Sequence, residues 1–573
     1  MQLANNENVD ERDLAWLWYD SDTNTEDYVR RQYQKAVQRQ LAVAFYEPLF
    51  AFCEANGVAL CGHPMNPDDY GLLAYFHIPG QDIVLKQLLP GHCNALTGPD
   101  STQGKCSSDA ARHSGKRRNS NECFGGYGWS LTVSDMKWIM DWLFIRGVNV
   151  LHPHAFYYSV RGERSGERPP DVGPHNLWWP HFKRIAEYIK RMCWMNTDSC
   201  NSAEVAILTD EYHLSWRAAK PLYQAQIEFN YISEHEVMRS KLDKLEGTMN
   251  LGCNRYRVLI LPEDYRISAA MSDILLQLQL GGVSILGYMC KIPHLKMCSV
   301  ATDEGEFVKL VDLNIPRKML LEPPCSDMRA SMLKKGKTTF VMVMNEGQES
   351  YEGMIRFPGM ISARYEIWDA WNGSIKPADS SIRGDEGISL KLGKRECLVV
   401  VIDTEAASIG STQLDEASRG QDYQYSSISC NEITVPFDQA WMCYGLPCGP
   451  VRVKRFGSWA EYAGCENFSG TVRYFNRFHI NDLSDQYVLD CGQVGDFMEV
   501  RVNKKHVDVR FWEPYEVNIT DWLNPGVNLI DILVSNSMAN HYEKVGRASG
   551  LLTGVRMRRI ISNNKKYGGF YES

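Results

Sequence analysis

Apolar residues recur every three or four positions in YVRRQYQKAVQRQLAVAFYEPLFAFCEANG, which begins at Tyr28 and stops at Asn56-Gly57, and this pattern predicts a helix. VALCGHP, 58–64, follows at once as a short buried-type strand with a polar tip, and helix-then-strand is the repeating unit of a parallel α/β sheet. The same order returns twice. DIVLKQLLP (82–90) predicts a strand and KCSSDAARHSGK (105–116) a helix; SDMKWIMDWLFIRG (134–147) predicts a helix capped by Ser134 and ended by glycine, and VNVLHPHAFYYS (148–159) the strand after it. WWPHFKRIAEYIKRMCWM (178–195) is a closing helix.

Beyond residue 200 the pattern changes. Short apolar runs, VAILTD, VLILP and VSILG, alternate with helical stretches, as in a small doubly wound domain. From 338, TTFVMVMNEG, ARYEIWDAWNG and ECLVVVID are strands divided by Asn-Gly or Asn-Glu-Gly turns, which predicts a small β-sandwich. Residues 404–430 lack periodicity and read as a linker. FSGTVRYFNRFHI, YVLDCGQVGDFMEVRVNKKHV and GVNLIDILVSN then alternate apolar and polar residues, as a jelly roll does. The expected fold class is multidomain α/β plus all-β. Residues 1–200 would be a partial (β/α)8 barrel, 201–320 a flavodoxin- or amidotransferase-like α/β domain, 321–405 a β-sandwich, 406–430 the linker, 431–562 a galactose-binding-like jelly roll and 563–573 a tail.

Composition narrows the classes of function. The chain has 573 residues, 70 acids against 61 bases and no extended basic stripe, which argues against nucleic acid and anionic membranes as partners. An 11 % aromatic content, with 15 Trp and 28 Tyr, suits stacking on flat or sugar-like ligands. The 17 Cys are scattered with no zinc-ligand spacing, so the expectation is reduced thiols in a cytoplasmic protein, with no metal and no cofactor. The polar start MQLANNENVDERD carries no signal peptide, and no apolar run is long enough to span a bilayer. The middle domain lacks GxGxxG and a Walker A sequence; it is assigned no nucleotide and no second activity, only a scaffold or oligomerisation role.

In a parallel barrel, residues at the C-terminal strand ends converge on the face where substrates bind. Three such ends here are polar: CGHPMNPDD, RNSNECFGGYG and LHPHAFYYSVRGER. Glu122 lies before a Gly-Gly-Tyr-Gly turn that lets backbone approach a ligand, with Tyr127 and Trp129 as flat faces for a sugar. His152 and His154, two apart, would face the same side of a strand, and Tyr157, Tyr158 and Arg161 follow without apolar partners; His63 joins them from the first strand end. Asp68 and Asp69 read as a turn.

FSGTVRYFNRFHI and LDCGQVGDFMEVRVNKKHVDVRFWEPYEVNITDWLNPGVNLIDILVSN resemble the sugar-binding jelly roll that accompanies family 2 glycoside hydrolases. The segments YEPLFAFCEANGVALCGHP, SSDAARHSGKRRNSNECFGGYGWSLTVSDMKWIMDWLFIRGVNVLHPHAFYYS and RPPDVGPHN resemble the barrel of the rhamnosidase-like glycoside hydrolases, family 106 and relatives. The resemblance implies hydrolysis of O-glycosyl bonds at terminal sugars of oligo- or polysaccharides, with Glu122 as base or nucleophile and His63, Tyr127, Trp129, His152, His154, Tyr157, Tyr158 and Arg161 binding the carbohydrate substrate. It also implies that the other catalytic acid belongs to a strand upstream of residue 28 and that the N-terminal half of the barrel is absent, which would leave an apolar edge open to a homo-oligomer or a missing half. A signal peptide would be lost with that half. The alternative is a catalytically inactive carbohydrate-binding fragment. A third reading makes the jelly roll a brace without a sugar site; the rings of Trp441, Trp512 and Tyr515 distinguish the two.

Overall fold

In the computed structural model the described residues are 11–20, 25–263, 265, 267, 269–290, 298–360, 364–377, 387–403 and 432–561; the linker and the tail expected from the sequence lie outside them. The chain is a multidomain α/β plus all-β protein built around a rolled half-barrel sheet. Helix α1 (Thr25–Leu41) runs through a π turn into α2 (Glu47–Ala55), as the helical period predicts. The parallel sheet follows, in the order β1 (Cys61–Gly62), β2 (Ile78–Ile83), β3 (Ser120–Cys123) and β4 (Val150–Pro153), with helices α3 (Gln103–His113), α4 (Val133–Ile145) and α5 (Phe182–Asn196) between and after them.

Three expectations are corrected here. The second strand is IPGQDI and ends near Asp82, where the sequence reading began it, because the alternation of Gly80, Asp82 and their neighbours sets the pairing with β3. The cap of α4 is Thr132, whose hydroxyl accepts from Asp135 N at 3.1 Å, and not Ser134. The fourth strand ends at Pro153, which has no N–H to donate, so residues 154–159 form a loop.

Helix α4 explains much of the assembly. VSDMKWIMDWLFI is apolar nearly all round, and its buried residues include Met136, Trp138, Ile139, Trp142 and Phe144. Such a helix needs cover on every side. One continuous core supplies it, joining α4 and α5 to Phe340, Met342 and Met344 of the sandwich and to Phe497, Val509 and Phe511 of the C-terminal domain. Within it, Lys137 pairs with Asp141, which also accepts from the Tyr188 hydroxyl.

The middle region is a five-stranded parallel sheet, β5 (Val205–Thr209), β6 (Phe229–Ser233), β7 (Val258–Leu261), β8 (Ser284–Tyr288) and β9 (Ser299–Ala301), in the order β9-β8-β7-β5-β6. Strands 328–335, 338–345 and 397–403 form the centre of a six-stranded antiparallel sheet that faces a three-stranded one. The C-terminal domain stacks a four-stranded on a six-stranded antiparallel sheet, and Asn503 and Lys504 take positive φ values of 50° and 68° in the hairpin turn at VNKK.

The thiol expectation is corrected at one pair: Cys200 and Cys253 are joined in a disulfide. Their spacing of 53 residues carries no sequence signal, and only the fold brings them together. No helix among the described residues is long and apolar enough to cross a membrane.

Candidate active site

Parallel pairing places Gly80, Ser120 and Val150 at one level of the sheet and Asp82, Glu122 and His152 at the next, towards the C-terminal strand ends. Side chains alternate across a strand. Gln81, Asn121, Cys123 and Leu151 therefore turn to the helices and are buried, while Asp82, Glu122 and His152 share the opposite face and reach solvent. That face is concave. Cys61 of β1 and His152 of β4, separated by two strands, approach to 3.7 Å between Sγ and Nε2, and Cys61 Sγ lies 3.5 Å from Ser120 Oγ. The sheet thus rolls into a trough whose floor is small and polar.

Exposed apolar side chains also lie on α1 and α2 and the turn between them, where Leu41 is 38 %, Phe45 54 % and Phe52 66 % exposed.

Asp82 is the carboxylate that the sequence reading missed. It stands beside Glu122 on the neighbouring strand, with His63 Nδ1 3.7 Å from its Oδ1. Burial raises its pKa and the Glu122 charge adds to the rise, against His63 and Arg168, which favour the ionised form. The signal that could have found it is the match between IPGQDI and NSNEC: each places an acid one residue before an apolar strand end.

The glycine-rich loop after Glu122 serves a different purpose from the one expected. Gly126, at φ 72°, donates to Arg168 O at 3.1 Å, and Gly128, at φ 87°, donates to Pro169 O at 2.8 Å. A Cβ on Gly125 would come within 2.8 Å of the His154 ring. These glycines bring loop against loop rather than backbone against ligand.

Two of the expected sugar-binding rings are corrected with them. Tyr127 is 2 % exposed and donates to Leu88 O at 2.7 Å; Trp129 is 1 % exposed, and its Nε1 donates to Ser165 O at 2.7 Å. Neither has a free face.

The other expected residues are distributed round the mouth. His63 and His154 are half-buried and His152 is exposed. His154 lies past the end of β4, where its backbone N donates to Cys123 O at 2.8 Å and its ring meets Tyr157 edge-on. Tyr157 is a loop tie: its hydroxyl donates to Arg168 O at 2.7 Å and its backbone N to Asp171 Oδ1 at 2.9 Å. Buried Asp171, also missed, accepts further from Gly173 N and from His175 N and Nδ1. Tyr158 is 89 % exposed with Arg164 over its ring, and Arg161 is exposed on the same loop. No group of three or more His, Cys, Asp or Glu among the described residues is placed to hold a metal ion.

A match to the profile of glycoside hydrolase family 106, alpha-L-rhamnosidase, runs from residue 23 to 319, more than half of the chain. The chain belongs to this alpha-L-rhamnosidase family. The rhamnosidase of Novosphingobium sp. PP1Y has the same fold at a TM-score of 0.71 and 18 % identity, over 97 % of this chain and 59 % of that one. A putative beta-glucuronidase of Formosa agariphila is 22 % identical over 417 residues, 68 % of this chain and 35 % of that protein. This family member thus spans less than two thirds of the length of both relatives.

The jelly-roll rings give a second correction. Trp441 and Tyr515 are 6 % and 7 % exposed, and Trp512 packs on Trp371 at 4.8 Å between centroids with Lys137 over its face. Trp441 and Tyr515 are core rings, and Trp512 is half-buried with its face covered, so none of the three offers a sugar platform.

Proposed function

We propose that the chain acts in hydrolysis of the O-glycosyl bond of a terminal sugar in an oligo- or polysaccharide, with an α-L-rhamnoside as the substrate class and Glu122 as one of two carboxylates, the base or nucleophile, whose partner carboxyl gives its proton to the leaving oxygen. The observation that carries this reading is the in-register placement of Glu122, Asp82 and His152 on the concave face of the parallel sheet, at the strand ends where barrel enzymes bind substrate. A sugar lying on that face meets Glu122 and Asp82 from the same side. The two carboxyl groups of a glycosidase flank the scissile bond. Asp82 is therefore assigned to the sugar hydroxyls beside the reacting carbon, with His63 and His152 as further hydrogen-bonding partners, and Tyr158 and Arg161 at the outer rim.

A panel of aryl glycosides that includes the α-L-rhamnoside and the β-D-glucuronide tests this. With the preferred substrate, Glu122→Gln is expected to lower kcat by roughly a thousandfold or more. Asp82→Asn is expected to act chiefly through KM. Equal losses of kcat in both variants with KM unchanged would make Asp82 a catalytic carboxyl and overturn its assignment. Sugar binding without hydrolysis of any panel member would replace the catalytic reading with a carbohydrate-binding one.

A further inference from the structure

The tip of the C-terminal domain reaches the loop that leaves Glu122. Tyr542 stacks on Trp129 with centroids 4.5 Å apart and planes at 28°, and Glu543 Oε1 accepts from the Trp129 backbone N at 2.7 Å. Arg547 donates to Ser130 O at 2.9 Å and is itself held by Asp496 at 2.8 Å. The tip is closed on itself: Asn540 Nδ2 donates to Arg547 O at 2.9 Å, and Arg547 N returns a bond to Asn540 Oδ1 at 2.7 Å. Trp129, Val160 and Ala539 form a small separate apolar cluster with Tyr157, Met538 and Tyr542 beside it. That cluster joins three segments distant in sequence, namely the loop after β3, the loop after β4 and the tip. Gly128 fits the same contact, since a Cβ there would meet Glu543 Oε1 at 2.8 Å.

We infer that the C-terminal sandwich positions the mouth of the carboxylate trough: Tyr542 and Glu543 are positioning residues that hold Trp129, and through it the loop that follows Glu122 and the loop carrying His154 and Tyr157, in a single arrangement. The inference rests on the proposed role of Glu122 only for its effect on rate. Trp129 is the keystone because its three attachments reach two other segments: the ring face to Tyr542 and the backbone N to Glu543, both on the tip, and the indole N–H to Ser165 on the loop after β4. Loss of the Tyr542 ring uncovers one face of Trp129, and loss of the Glu543 carboxylate releases its backbone N; either leaves the glycine-rich loop, from Gly125 to Gly128, freer to use its backbone freedom. Catalytic geometry tolerates little such motion, because displacement of about 1 Å can cost roughly a hundredfold in rate.

The test uses the full chain with Tyr542→Ala, Tyr542→Phe, Glu543→Ala and Glu543→Gln, read by amide hydrogen exchange and by steady-state kinetics on the substrate found in the panel. Exchange at 124–130 and 157–168 is expected to rise about tenfold or more in Tyr542→Ala and Glu543→Ala, with α4 unchanged. The kcat is expected to fall about tenfold with KM little altered, and Tyr542→Phe and Glu543→Gln, which keep the stack and the acceptor, are expected to restore both. Exchange of those loops within about twofold of the parent in Tyr542→Ala would overturn the inference, as would a kcat loss in Tyr542→Phe equal to that in Tyr542→Ala. If the parent hydrolyses no panel member, the exchange measurement alone still decides whether the tip holds the loops, separately from the catalytic reading.

Discussion

At the scale of single residues, the trough shows how one position is held at a cost to stability. Asp82 has a raised pKa in the folded chain, because burial and the Glu122 charge outweigh His63 and Arg168. The folded state then binds the proton more tightly than the unfolded state does. The stability contributed by this group is full below the ordinary carboxylate pKa of 3.8 and is lost as pH rises through the raised value. Asp82→Asn keeps the shape and removes the charge. Its melting temperature is expected to exceed that of the parent at pH 7, with the difference closing as the pH falls below 3.8; a variant less stable than the parent at pH 7 would show that the carboxylate is stabilised in place. Glu122 was legible in the sequence as an acid at a strand end. Asp82 was not, because DIVL reads as the start of a strand until its pairing with SNEC shows it to be the finish.

Among the elements, α3 carries the clearest energetic signature. Lys105 and Asp109 are one helical turn apart, 3.0 Å from each other and with side chains 4 % and 0 % exposed. The pair is fixed from outside the helix: Lys105 donates to Asn230 Oδ1 at 2.7 Å, and Asp109 accepts from Tyr231 N at 2.8 Å, both partners lying on β6. A helix of the half-barrel is thereby keyed to the middle sheet by charge as well as by apolar contact. Burial lowers the Lys105 pKa while Asp109 and Glu228 oppose the shift. Lys105→Met leaves the buried Asp109 charge with only Arg112, whose Nε stands 3.8 Å from it, and is expected to cost about 3 kcal/mol in urea unfolding. The double variant Lys105→Met with Asp109→Leu is expected to recover much of that loss. A single-variant cost near zero would mean that water reaches the pair. The helix was predictable from KCSSDAARHSGK; its near-complete burial was not, since a stretch with so few large apolar residues resembles a surface helix.

In the whole molecule, the half-barrel and the β-domains are one mechanical unit. The core around α4 draws on the barrel helices, the sandwich and the C-terminal domain, so removing the C-terminal domain would strip Phe497, Val509 and Phe511 from it. The disulfide between Cys200 and Cys253 ties the edge of the six-stranded sheet to the hairpin beside the middle sheet across 53 residues. Its reduction is expected to lower unfolding stability by about 2–4 kcal/mol, measured by denaturant titration with and without a phosphine reductant. Identical midpoints would mean that the two thiols are not joined in solution.

The sequence by itself determined what depends on neighbours along the chain. It placed the α1–α2 helical run, the alternation of the β-sandwiches and Glu122 at a strand end, because period and turn chemistry are properties of a few consecutive residues. Only the tertiary structure decided what depends on residues far apart. The register that sets Asp82 beside Glu122 spans 40 positions, and the contact of Trp129 with Tyr542 and Glu543 spans more than 400, Glu543 lying 414 positions beyond Trp129. Burial of the Tyr127 and Trp129 rings is of the same kind. An aromatic ring beside a glycine turn reads alike whether it meets a sugar or another loop, and which one it meets is settled by the segments that the fold brings to its face.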